Sequence, residues 1–126
     1  LLNAAAVAAA VGAILRETER AATIVPCGER WHTASDDGVL RFAIEDYIAA
    51  GAVVSYIEAD GSPEARAAEA AYHGAKASLL ATLLDCASGR ELVARGYEAD
   101  VRFCAKINAY DVAPELREER FTAFEA

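Results

Sequence analysis

The chain is 126 residues long, with 55% hydrophobic residues, a formal charge of −8 and an isoelectric point near 4.7. That length suits one domain with its own core. The acidic balance argues against a nucleic-acid or anionic-membrane partner, since both require clustered Lys and Arg. Alanine makes up about a quarter of the residues, far above ordinary usage. It orders into helices at little entropic cost but buries little area, so close helix packing has to supply the cohesion.

In chain order, Asn3 to about Glu19 is nearly apolar on all sides and predicts a helix buried on most faces. Thr23 to Cys27 is a β-branched run, apolar on both faces, and predicts one central strand. His32 to Gly38 predicts a polar turn. Leu40, Ala43, Ile44, Tyr47 and Ile48 form a helical stripe, giving a helix over Val39 to Ala50 that Gly51 is expected to end. Ser62-Pro63-Glu64 predicts the next helix start, with Ser as cap and Pro at the first helical position; this helix runs to about Gly74.

A further helix is expected over Ala77 to Cys86, and Ser88 with Glu91 reads as a capping box for the next, stopped by Gly96. Asp100 is expected to cap a helix from Val101 to about Asn108, Pro114 closes the helical region, and Phe121 to Phe124 predicts a short edge strand. So few strands cannot form a stable sheet alone. Either the chain is nearly all-α, or further strands lie outside it. The chain starts at Leu1 in place of Met, in the middle of what reads as a helix and without a basic leader, so it is expected to be part of a longer protein and not a signal peptide. The three cysteines include no CxxC pair, and His32 and His73 lack ligand spacing, which predicts reduced, mostly buried thiols in a cytoplasmic protein and no zinc site.

The densest chemistry lies in Pro26-Cys27-Gly28-Glu29-Arg30-Trp31, where a Gly turn follows the predicted strand and then presents a carboxylate, a guanidinium and the only tryptophan. In α/β proteins such turns place functional groups at the carboxyl edge of a sheet; the competing reading is a solvated Glu-Arg loop with Trp on the core. Arg30, Arg41 and Arg90 each lie beside a Gly or a helix start, the setting for binding a phosphate or carboxylate. Ser88-Gly89-Arg90 reads either as an anion cradle or as a simple capping box with Arg90 in solvent. Glu45 and Asp46 are adjacent on a helix, so their side chains diverge by about 100° and do not readily share one metal.

The ordered segments Leu2-Asn3-Ala4, IVPCGERW, DGVLRFAIEDYIAAGAVV, SPEARAAEAAY, CASGRELVARGYEADV and YDVAPEL resemble the C-terminal half of the ComB-type 2-phosphosulfolactate phosphatases over essentially the whole chain. The resemblance implies the helix-rich part of a three-layer α/β fold, with residues 1–126 as a single ComB-like domain forming the C-terminal half of a longer protein. It implies a magnesium-dependent hydrolase that converts 2-phospho-3-sulfolactate to 3-sulfolactate in coenzyme M biosynthesis. Glu29, Arg30 and Asp46 would be catalytic, with Glu29 and Asp46 holding Mg2+, and Asn3, Gly28, Arg41, Ser88, Gly89 and Arg90 would bind substrate; Asp37-Gly38 falls in a further matching segment. Phe42, Ala49-Ala50 and Glu118-Glu119-Arg120 depart from the family pattern, the last at a closing turn. Cys27 stands where the family accepts alanine, which speaks against a thiol nucleophile.

The family's N-terminal half is absent, so a partner half is expected to complete the site, and residues 1–126 alone are expected to be inactive. A homo-oligomer is a further expectation. The alternatives are a phosphatase acting on another phosphorylated hydroxy acid, or a non-catalytic helical subdomain that packs on a partner half.

Overall fold

A computed structural model describes residues 1–18, 20–31, 35 and 38–124. Two of the residues singled out above, His32 and Asp37, lie outside the described residues. The chain is mixed α/β: helix α1 (Ala4–Thr18), strands β1 (Glu29–Arg30) and β2 (Leu40–Arg41), helices α2 (Ile44–Val54) and α3 (Pro63–Ala75), a single 3₁₀ turn (Lys76–Ser78), helices α4 (Leu79–Asp85), α5 (Ala87–Ala94) and α6 (Glu98–Cys104), and strands β3 (Pro114–Arg117) and β4 (Arg120–Ala123). The strands form two separate antiparallel pairs, β1 with β2 and β3 with β4. No helix among the described residues is long and apolar enough to cross a membrane.

Alanines supply six of the eleven buried apolar residues among those described. Ala4, Ile48, Ala52, Tyr72, Leu79, Leu83 and Val101 form the buried centre of the core. Each larger aliphatic side chain there contributes on the order of 1.5–3 kcal/mol through burial, whereas alanine contributes through proximity. The α2–α3 crossing demonstrates this, because a Cβ added at Gly51 would lie 1.9 Å from the carbonyl oxygen of Ala68. Gly51 therefore does not end α2 as expected; it sits inside the helix, where a missing side chain lets the α3 backbone come close. The helix instead starts at Ile44 and continues to Val54.

Other boundaries move for local reasons. Ser62 caps α3 as predicted, its hydroxyl accepting from the Ala65 amide at 3.2 Å. Cys86 takes the cap position expected of Ser88: its extended backbone separates α4 from α5, and its sulfur accepts from the Gly89 amide at 3.3 Å. Glu91 then lies too far along α5 for a capping box. Tyr97 precedes α6, so Asp100 falls in the first turn of that helix and does not cap it. Gly96 follows α5 as predicted. Helix α1 spans the predicted residues but buries only Ala4 and Ala8, with Ile14 43% exposed, because it is covered chiefly along the face that meets α2.

The strand expected over Thr23 to Cys27 has no ladder partner among the described residues, and Val25 is 69% exposed. Cys27 is exposed with it, as is Cys104, so the thiols are not mostly buried as expected. Pro26 offers no amide to a neighbour, and pairing begins only past the Gly28 turn, with Glu29 opposite Arg41. The C-terminal strand is present one residue earlier than expected, pairing Leu116 with Phe121. Its two-residue turn uses Glu118 and Glu119 at φ of 46° and 63°, a left-handed geometry that Asn-Gly usually serves.

Tyr72 is only 1% exposed, and its hydroxyl has no hydrogen-bond partner although Tyr56 lies near. Burial first, and Tyr56 second, push its pKa up to about 12. The sign follows from which state loses its proton first. Below about pH 10 both states keep the phenol neutral; above it the unfolded chain ionises while the folded one resists. Stability present at neutral pH is thus lost between about pH 10 and 12, by on the order of 2–3 kcal/mol. Tyr72→Phe is expected to remove that alkaline slope and to stabilise the protein by about 1 kcal/mol at neutral pH, since it deletes an unpaired buried hydroxyl. Urea titrations of both proteins at pH 8 and at high pH check this.

Candidate functional site

The site grows from the Gly28 turn. Gly28 holds φ +73°, and a Cβ there would lie 2.8 Å from the Arg41 carbonyl oxygen, so the close β1–β2 crossing requires glycine. Its amide donates to Asp46 Oδ2 at 2.8 Å, tying the turn to the first turn of α2. The ribbon continues as the Trp31 amide donates to Val39 O at 2.9 Å and the Gly38 amide to Trp31 O at 3.0 Å. Glu29 and Arg30 are exposed on this ribbon. Glu29 Oε1 accepts from the Arg30 amide at 2.9 Å, and Arg30 Nη1 donates to the Gly38 carbonyl.

Arg41 turns inward and is 8% exposed. Its Nη1 and Nη2 each donate at 2.7 Å to Glu91, at Oε1 and Oε2 respectively, the two-pronged geometry that makes such pairs strong. The Trp31 ring covers the guanidinium at 4.8 Å. Hydrogen bonding to Glu91 first, and the fields of Glu91, Glu29 and Glu45 next, raise the Arg41 pKa against the opposing effect of burial. Three carboxylates therefore lie within electrostatic reach of one guanidinium.

Helix α5 closes the arrangement. Cys86 Sγ lies 3.7 Å from Glu45 Oε2 and 3.2 Å from Leu83 O. Burial is the main influence that pushes this thiol's pKa up, which keeps it protonated and a poor nucleophile. Gly89 and Arg90 do not offer open amides, since these donate to Cys86 Sγ and to Cys86 O. Ser88 lies half-buried in the first turn, and the Arg90 side chain is exposed and pairs with Asp85 at 3.1 Å.

Of the residues singled out in the sequence, Gly28, Glu29, Arg30, Arg41 and Asp46 gather around the ribbon. Helix α5 meets this group through Glu91 on Arg41 and Cys86 beside Glu45, whereas Gly89 is buried on the end of α4 and Arg90 pairs with Asp85. Asn3 is engaged elsewhere: its Nδ2 donates to Val112 O at 3.0 Å, in the segment that also places Asn108 Oδ1 on the Ala5 amide. Sequence reasoning missed Glu91 as the Arg41 partner, Trp31 as its cover, and Cys86 as the cap. The inward turn of a strand arginine signals that a carboxylate must accompany it, but not one 50 positions away.

Among the described residues no group of three His, Cys, Asp or Glu is arranged to hold a metal. Magnesium does not require one, because it usually takes one or two protein carboxylates and keeps waters and substrate oxygens. Glu29 and Asp46 each have only one oxygen in the bonds described above, so the donor set fits such a partial complement.

A family model described as 2-phosphosulpholactate phosphatase matches residues 1–119. No curated protein and no solved structure matches the chain.

Proposed function

This chain belongs to the 2-phosphosulpholactate phosphatase family, and from that premise we propose that it is a cytoplasmic, magnesium-dependent phosphatase acting on a small acidic phosphate ester. The substrate proposed is 2-phospho-3-sulfolactate, giving 3-sulfolactate and phosphate in the coenzyme M pathway. The observation that supports the reading is the Gly28 ribbon, where exposed Glu29 and Arg30 stand beside Asp46 at a helix start.

Glu29 and Asp46 would hold the magnesium, which when bound neutralises phosphate charge and activates a water. Arg30 binds the equatorial phosphate oxygens as they gain charge, and the Ser88 hydroxyl and Arg90 orient the remaining acid groups. Water adds to phosphorus, the ester P–O bond breaks, and the leaving alkoxide takes up a proton. Arg41 is committed to Glu91, and the charges of that pair largely cancel. A dianion approaching Glu29, Glu45 and Asp46, with Arg30 the cation opposing them, meets net repulsion, which favours a cation-assisted reaction over a cation-free one.

The test is phosphate release by the protein at its natural length, from 2-phospho-3-sulfolactate and from other phosphorylated hydroxy acids, with magnesium and with chelator. Release that needs magnesium and is fastest with the sulfonated ester is the expected result. Fastest release from another ester replaces the substrate, and no release from any ester removes the phosphatase reading.

A second reading, a helical subdomain packing on a partner half, draws on a cavity of about 730 Å³ lined in part by Ala22, Ile24, Tyr47, Val54 and Ala65. The two readings are compatible if the partner half completes the site, and residues 1–126 alone would then be inactive.

A further inference from the structure

We infer that Glu91 is a positioning residue for the proposed reaction: by gripping Arg41 it holds β2, and with it the paired Glu29–Arg30 strand, against α5. The inference rests on the phosphatase reading above for its catalytic meaning, but on the geometry alone for the grip.

No nitrogen of Arg41 is open to an incoming anion. The two terminal nitrogens are taken by Glu91, and Nε is buried without a partner. Trp31 covers one face of the guanidinium. An arginine closed in this way does not clamp a ligand directly; it joins what it touches. Here it joins β2 to α5.

The axial seat of α5 is already set without Glu91. Cys86 caps it, and a Cβ added at Gly89 would meet the Leu83 carbonyl oxygen at 1.8 Å, so its first turn rests on the end of α4. Leu92 on the same helix packs against the core and fixes its rotation as well. The ribbon is the lighter side, with two residues in each strand and Glu29 and Arg30 exposed. Glu29 lies opposite Arg41 in the register, so anchoring Arg41 to Glu91 holds Glu29 and Arg30 in place, while Arg90 turns away to Asp85. The asymmetry of the pair fits the role, since the Arg41 side chain is 7% exposed and that of Glu91 is 56% exposed. The exposed carboxylate stands on the seated helix and holds the ribbon's buried guanidinium.

A rival role has the opposite signature. If Glu91 instead occupied an anion seat on Arg41 that substrate must win, removing its charge would improve binding and lower KM.

A double-mutant cycle on the protein at its natural length separates these roles, using Glu91→Gln, Arg41→Met and the pair together, with the best ester from the panel above. Glu91→Gln is expected to lower kcat/KM by about 10–100-fold, mostly in kcat, as misplaced groups do. Added to Arg41→Met it is expected to cost less than about 2-fold more, because it acts through Arg41. A fall in KM for Glu91→Gln, or losses that multiply, overturns the inference. Trp31 is the only tryptophan, so its emission reports the grip without turnover. The emission should shift on Glu91→Gln in the parent protein and stay unchanged when Arg41 is already Met. Should no ester be hydrolysed, the phosphatase reading fails while this emission cycle still decides the grip, and unchanged emission in both backgrounds overturns it. If Arg41→Met does not fold, Arg41→Lys, which cannot make the two-pronged bond, takes its place.

Discussion

Gly51→Ala is expected to unfold this protein or leave it barely stable, although alanine is otherwise the better helix former. The added methyl would lie 1.9 Å from the Ala68 carbonyl oxygen and 2.5 Å from its carbon, distances no side chain rotation relieves. The α2–α3 crossing would have to open, separating Ile48 and Ala52 from Tyr72 in the buried core. Overpacking of this kind costs roughly 3 kcal/mol or more, a large share of a domain's net stability. The control is Gly74→Ala, within α3, where a Cβ meets nothing within 4 Å. There the ordinary preference for alanine returns, and a gain of about 0.5–1 kcal/mol is expected. Opposite shifts in melting temperature for one and the same substitution would isolate the crossing as the cause; equal shifts would refute it.

Arg30→Ala carries the largest expected effect on activity. Arg30 is exposed, its side chain bonding to the Gly38 carbonyl, so its removal should leave the fold and the melting temperature nearly unchanged. Under the proposed mechanism it is the guanidinium open to the transferring phosphoryl group. Removing such a donor costs about 100–1,000-fold in kcat. Arg30→Lys is expected to recover only part, since a point charge lacks the fork that matches two phosphate oxygens. Near-parental turnover by Arg30→Ala would dismiss Arg30 as the clamp and move that role to Arg90.

The comparison of sequence with structure divides along local and non-local signals. The Ser62 cap, the Gly96 stop and the span of α1 were legible because each is written within one or two helical turns. Gly51 was not, because a glycine that ends a helix and a glycine that admits a neighbouring backbone look alike until Ala68 is known to be the neighbour. The Thr23–Cys27 run carries the right residues for a strand, but a strand exists only with a partner, and none pairs there among the described residues. At the site, the Gly turn and the flanking charges pointed to Glu29, Arg30 and Arg41 through residue type alone. Asn3 carried no such local signature, and its amide serves the Val112 segment. Ser88 reads as the cap because hydroxyls usually fill that position, whereas the cysteine two residues earlier has the extended backbone that the position needs.

That sulfur cap bears on how inhibitors of this protein should be interpreted. Cys86 is half-buried, with its pKa raised by burial, so alkylating reagents would attack it slowly and faster as the medium turns alkaline. Once alkylated, the sulfur could no longer sit against the Gly89 amide, and the α4–α5 junction would be prised apart. Loss of turnover with such a reagent would then trace to a displaced helix, not to a consumed nucleophile.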